Sequence, residues 1–285
     1  MRIQPFEIAE LEFAWCHRVY VRFRTHRCQP VELLVHIQKE TLSELLKTYG
    51  VNVLEFSADQ IDIRALLSLQ APESVSSAVS KFKGRLSKWL NEQNTNDSVA
   101  SKPKWLGRGY FASTTGKSTA DEVAAYLERQ AEHHGYDGQA TPSVFIKTYY
   151  LGEQEERILA TDHAVTCLRY HVVLATQWRR GVFSFESASE VVDCWRAMQP
   201  ETKAVIQKVS ILADHVHLAL MIHPTVSPAV AVTTWMNAAQ NLMWKRFEGD
   251  LIRSRIDRLW QPSAYVGSFG QLRSAAVASY VRRWE

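Results

Sequence analysis

The sequence predicts an α+β protein built as two tandem units, each an antiparallel sheet covered by helices. Two observations lead there. Short alternating or apolar runs alternate with longer runs whose apolar residues fall three to four apart, at spacings that suit hairpins. Blocks of the first half also return in the second half in the same order. "CHRVYVRF" (16–23) returns as "YHVVLATQ" (170–177), and "ADQIDIRALLSL" (58–69) as "ADHVHLALMIHP" (213–224). "WLGRGYFASTTG" (105–116) matches "LWQPSAYVGSFG" (259–270), and "VAAYLERQ" (123–130) matches "VASYVRRW" (277–284). Four matches in one order indicate a duplication, with His17 over His171 and Tyr126 over Tyr280.

Each element has a local reason. "RVYVRF", "VNVLEF" and "IDIRALLSL" in the first unit, and "HVVLAT", "AVIQKVSILA" and "HVHLALMI" in the second, read as strands. "VELLVHIQKETLSELLKTYG" (31–50) reads as a helix closed by a glycine, and "SVSSAVSKFKGRLSKWLNEQ" (74–93) as a second helix. "SASEVVDCWRAM" and "AVAVTTWMNAAQNLMWKRF" take those places in the second unit. The final block of each unit reads as a helix after a glycine turn. In the first unit Ser118 or Thr119 suits the N-cap, with Asp121 and Glu122 in the first turn. The expected division is 1–137, a linker over 138–164 opened by the glycine-rich "GYDGQATP", and 165–285.

Composition sets the class. A chain of 285 residues with 46% hydrophobic and 22% charged residues is long enough for two cores and reads as globular. No apolar run approaches membrane-spanning length, and the first residues carry acids where a secretion signal carries bases and then apolar residues, so a cytoplasmic location without membrane attachment is expected. The four cysteines form no CxxC pair, which indicates neither a zinc knuckle nor a disulfide framework. A net charge of +3 does not itself require a polyanionic partner. The bases nevertheless cluster beside aromatic residues, in "KFKGR" (81–85), "QWRR" (177–180) and "WKRF" (244–247), a mix that serves either a solvated face or a nucleic-acid strand.

"ADHVHLALMI" carries the candidate chemistry. On a strand His215 and His217 point to one face while Val216 points to the other. Two neutral imidazoles at that spacing can share a divalent cation, although paired histidines also occur on strands that bind none.

"YHVVLATQWRRGVF", then "ADHVHLALMI", "LWQPSAYVGSFG" and a helix with Tyr280 resemble the single-tyrosine HUH transposases, the REP-associated and insertion-sequence tyrosine transposases. The first unit resembles them too, in "SKFKGRLSKWL", "WLGRGYFASTTG" and "YLERQ". The resemblance implies a ferredoxin-like sheet with His-x-His on a central strand, and a Tyr-x-x-x-Gln helix supplying the nucleophile and the third metal ligand. It also implies dimers in which one subunit's helix completes the other's histidine site.

Neither unit keeps the whole pattern. The first has Gln60 and Asp62 at the histidine positions but retains Tyr126 and Gln130, which share a helical face. The second has His215, His217 and Tyr280, but Trp284 where the glutamine belongs. Together they supply one complete set, as in a dimer fused head to tail: His215, His217 and Gln130 to hold Mg²⁺ or Mn²⁺, and Tyr126 as nucleophile. Gln60, Asp62 and Trp284 form a degenerate site, with Tyr280 a second or vestigial nucleophile.

The resemblance implies a metal-dependent endonuclease and strand transferase on single-stranded or hairpin DNA, passing through a 5′-phosphotyrosine. Lys81, Lys83, Arg85, Arg179 and Arg180 are candidate DNA contacts. Packing or hydrogen bonding is expected of His17 and His171. The alternative is a hairpin-binding protein that has stopped cutting, and a fused pair is expected to act as a monomer.

Overall fold

The computed structural model describes residues 4–94, 103–128 and 145–271. Gln130, Tyr280 and Trp284 lie outside the described residues. In the first half the described elements are β1 (Glu12–Arg24), α1 (Lys39–Lys47), β2 (Val51–Ala58), β3 (Asp62–Leu69), α2 (Val75–Gln93), β4 (Tyr110–Thr115) and α3 (Ala120–Glu128). The second half continues with β5 (Phe145–Thr148), α4 (Glu153–Leu159), β6 (Ala164–Cys167), β7 (Arg169–Ala175) and α5 (Phe185–Ala197). It ends with α6 (Gln199–Thr202), β8 (Ala204–Leu212), β9 (His215–Ile222), α7 (Pro228–Arg246), α8 (Glu248–Arg253) and β10 (Ser263–Ser268). No helix among the described residues is long and apolar enough to cross a membrane.

Three expectations change. The helix expected over 31–50 divides into a 3₁₀ turn, Glu32–His36, and α1, because only Leu42 and Leu46 of the later part repeat at the spacing that buries one face. The linker expected over 138–164 contains β5, which pairs with β8, and α4, so its latter part belongs to the folded body. The sheet is mixed rather than antiparallel. Within each half the strands pair antiparallel, but β1 meets β10 and β4 meets β6 in parallel.

Those two parallel pairings join the halves. The first part of β1, Glu12–Cys16, leaves its own half to lie along β10, and β6 does the reciprocal thing along β4. Exchange of this kind satisfies backbone groups that would otherwise be exposed edges. Where the halves meet, Gly116 N–H donates to the Gly270 carbonyl at 3.2 Å. A Cβ on Gly116 would lie 2.3 Å from the Ser268 carbonyl oxygen, so only glycine permits that approach.

Strand register fixes which residues of the two halves are equivalent. Arg24 opposes Asp62 in the first half, and Ala175 opposes His215 in the second. Thr25 N–H donates to Ile61 O, as Thr176 N–H does to Asp214 O, and both outer strands carry a bulge, between Val53 and Glu55 and between Ile206 and Lys208. Asp62 therefore stands where His215 stands, and Arg64 where His217 stands. The assignment of Gln60 and Asp62 to those places is corrected by two residues. The shared Ala-Asp dipeptide misleads because a two-residue slip keeps every side chain on the same face. Likewise Tyr20, not His17, is the counterpart of His171.

Helices bury the other face. Phe82, Leu86 and Leu90 of α2 are fully buried, and Ser74 caps that helix by accepting from Ser77 N–H. In the second half Trp195 of α5 stacks between Trp235 of α7 and Trp260, at centroid distances of 5.9 and 6.5 Å. The three stacked indoles find acceptors: Trp195 Nε1 donates to Trp235 O, Trp235 Nε1 to Thr202 Oγ1 and Trp260 Nε1 to Met236 O.

Candidate functional site

The site begins with strand geometry. His215 and His217 project from one face of β9 and are almost wholly buried. Across the ladder Ala175 opposes His215 and Val173 opposes His217. His171, one step further along β7, reaches diagonally to His217. The two rings stack at 5.3 Å, with Nε2 of His171 and Nδ1 of His217 3.1 Å apart.

The supporting groups set the proton positions. His215 Nδ1–H donates to Asp214 at 2.6 Å, which places the ring's lone pair on Nε2. Asp214 is in turn paired with Arg179 at 2.9 Å. Burial raises the Asp214 carboxyl, but His215 and Arg179 outweigh it and hold it below the usual range, so it stays an acceptor. Burial lowers His171 to about 4, which keeps that imidazole neutral near pH 7. A neutral His171 can accept from His217 Nδ1–H, and that tautomer puts the His217 lone pair on Nε2 as well.

The tyrosine arrives from the other half. Thr119 caps α3: Glu122 N–H donates to its hydroxyl, and Thr119 N–H donates to the Glu122 carboxylate. The buried face of α3, Val123 and Leu127, packs on Ala219 of β9 and Phe269, both of the second half. Glu128 at the helix end pairs with Lys208 of β8, a lysine whose side chain is buried. The helix is thereby laid across the histidine strand. The Tyr126 ring lies 5.7 Å from His217 and 5.9 Å from His171, edge to face, and remains 37% exposed.

The equivalent place in the first half holds an ion cluster. Arg22 grips Asp62 through two hydrogen bonds of 3.0 and 2.6 Å, with Arg24 and Arg64 each at 3.4 Å. Burial raises the Asp62 carboxyl, yet the arginines hold it below its usual range. Gln60 lies in the turn before β3, where its amide donates to Glu32. Such a cluster has no neutral nitrogen to offer a cation.

The expected DNA contacts divide. Lys83 turns inward and donates to the carbonyls of Gly107, Arg108 and Gly109, with its ammonium over the Phe23 and Tyr110 rings. Burial lowers its pKa to about 8. It is a structural strut, because the loop carbonyls offer it more than solvent does. Lys81 pairs with Glu73, and Arg85 lies over Tyr49. Arg179 is committed to Asp214 on one side but half-exposed, and Arg180 is exposed. Asp214 and Tyr265, whose ring lies 5.9 Å from His171, escaped the sequence reading. Only the position of Asp214 directly before the paired histidines could have drawn attention to it.

Two nearly buried imidazoles, each held through Nδ1 so that Nε2 can serve as a donor, are a donor set that fits a divalent cation. Among the described residues no group of three or more His, Cys, Asp or Glu is arranged to hold one. The Tyr126 phenol of one half thus lies against the paired histidines of the other.

The chain belongs to the IS200-like transposase family. The family model "Transposase IS200 like" matches it twice, over residues 15–130 and 164–283. It is similar to the transposases for insertion sequence element IS200 of Salmonella typhimurium and of Salmonella typhi, each 26% identical over 129 residues, covering 45% of this chain and 82% of the relative. Relatives matched over so much of their length and so little of this chain fit a tandem duplication. Among solved structures it is similar to a protein of Deinococcus radiodurans assigned as a transposase, with 23% identity, a TM-score of 0.33, and coverage of 41% of this chain and 91% of that one.

Proposed function

We propose that this protein is a single-strand DNA endonuclease and strand transferase with one composite site, working as an internal pseudo-dimer of two ferredoxin-like HUH units. The observation that carries the reading is Tyr126 of the first half set 5.7 Å from His217 of the second. His215 and His217, with Gln130 as the third donor, would hold Mg²⁺ or Mn²⁺. When bound, the cation supplies charge neutralisation at the scissile phosphate and at the leaving oxygen.

The protein's own groups do the rest. The Tyr126 phenol loses its proton and its oxygen attacks phosphorus. The bond from phosphorus to the 3′ oxygen breaks, leaving a 3′-hydroxyl strand and a 5′-phosphotyrosine. That ester conserves the bond for strand transfer or religation. Asp214 and His171 orient the imidazoles, and the docking of α3 on β9 sets the approach of the phenol. A hairpin beside the cut is the substrate form that fits the family.

The test is covalent trapping. Labelled oligonucleotides carrying a hairpin with single-stranded flanks are incubated with Mn²⁺ and wild type, Tyr126→Phe or Tyr280→Phe, and detergent-resistant adducts are counted. Loss in Tyr126→Phe alone supports the composite site. Loss in Tyr280→Phe alone sinks it, and tight hairpin binding with no adduct in wild type leaves a binding protein.

A further inference from the structure

Beside the tyrosine lies a cavity of about 260 Å³ whose walls come from both halves. Arg18 and Lys117 of the first half, and His171, Tyr265 and Gly267 of the second, line it together with Val123, one helical turn before Tyr126. The His171 ring forms part of its wall and also touches Tyr126 and His217, so the cavity adjoins the candidate site through that ring. Its volume is near the lower end of small-ligand pockets, roughly 300 Å³, which suits one nucleotide rather than a duplex.

The lining has the two chemistries that hold a single strand. Arg18 and Lys117 are exposed, make no ion pair among the described residues, and no carboxylate lines the cavity with them. Tyr265 is 41% exposed, and its ring lies along β10 over Gly267, where a Cβ would come 2.3 Å from the phenol oxygen. Gly267 thus sets the ring's position. A fixed aromatic face beside two cations matches base stacking combined with phosphate attraction.

We propose that this cavity is a nucleotide subsite: Tyr265 stacks the base next to the scissile phosphate, and Arg18 and Lys117 hold that nucleotide's phosphate. The proposal rests on the reading of Tyr126 as the cleaving tyrosine. It gives the first half a second task, supplying cations to the substrate strand as well as the nucleophile.

Binding and cleavage are measured separately on the full chain. Binding is followed by the anisotropy of a fluorescein-labelled oligothymidylate, with EDTA and without divalent metal, and cleavage by adduct formation on the hairpin oligonucleotide with Mn²⁺. Tyr265→Ala is expected to weaken binding roughly five- to hundredfold, Tyr265→Phe to keep it, and Gly267→Ala, which displaces the ring without removing it, to weaken it as Tyr265→Ala does. Replacing both Arg18 and Lys117 by alanine is expected to lower the slope of log affinity against log salt by about 1.4. If Tyr265→Ala keeps its circular dichroism and binds as wild type while adducts still depend on Tyr126, the subsite is wrong and the cleavage reading stands. If these variants lose binding but wild type forms no adduct, the subsite stands and the cleavage reading falls. If Tyr265→Phe weakens binding as much as Tyr265→Ala does, the hydroxyl rather than the ring face holds the strand and the stacking role is overturned.

Discussion

His17 shows what burial does to a single residue at the join between the halves. It is fully buried, with Tyr170 of the other half donating its hydroxyl to Nε2 at 3.0 Å. Burial lowers its pKa to about 4, against a smaller opposing pull from the Gln70 carbonyl and Glu73. Because the unfolded value is near 6.5, the unfolded chain binds the extra proton first. The stability His17 contributes is therefore present above about pH 6.5 and is lost as pH falls through 4, up to about 3 kcal/mol for a shift of this size. Urea melts between pH 7 and 4 should show that slope, and His17→Gln should flatten it. Asp214 makes a second residue-scale prediction. Asp214→Ala removes the acceptor that orients His215, so Mn²⁺ affinity read by titration calorimetry should fall about 10- to 100-fold. Lys83 makes a third: Lys83→Ala strands three carbonyls, which should cost about 2 kcal/mol in thermal melts while oligothymidylate binding stays near wild type.

The element that decides the site is α3. Its sequence gives the cap, the acidic first turn and the Val123/Leu127 face, all readable from spacing. Nothing in that spacing says which sheet the face will cover. The structure puts it on β9 and Phe269 of the other half, with Glu128 tied to Lys208. Lys208→Met replaces a buried charge by an apolar chain of similar length, a change that folds tolerate. It should leave the melting temperature within a few degrees and yet lower the adduct rate by one to two orders of magnitude, because the phenol loses its placement. Strand elements show the reverse case. Alternation located β3 and β9, but the "AD" dipeptide set their equivalence two residues out, since a pattern of period two cannot detect a slip of two.

At the scale of the whole molecule, the exchange of β1 and β6 between halves makes one sheet in the order β2-β3-β1-β10-β7-β9-β8-β5, with β4 and β6 joined to its first half. A composite site within one chain does not need a second molecule. Adduct yield per chain should accordingly stay constant when the protein is diluted from micromolar to nanomolar, whereas a site shared between two chains would lose activity.

The sequence by itself determined the duplication, the α+β class, the paired histidines on a strand and the helix bearing Tyr126, because each is a local pattern of period two, of helical period or of plain recurrence. It also showed that the first unit has no counterpart of the paired histidines and that the second has Trp284 where the glutamine belongs. Tertiary structure decided the rest: that Tyr126 lies against His217, that Asp214 and His171 hold the imidazoles, that Asp62 and Arg64 stand at the first-half positions equivalent to His215 and His217, and that Lys83 faces inward. These depend on register and on packing between segments far apart in the chain, and contacts of that kind leave no period in the sequence.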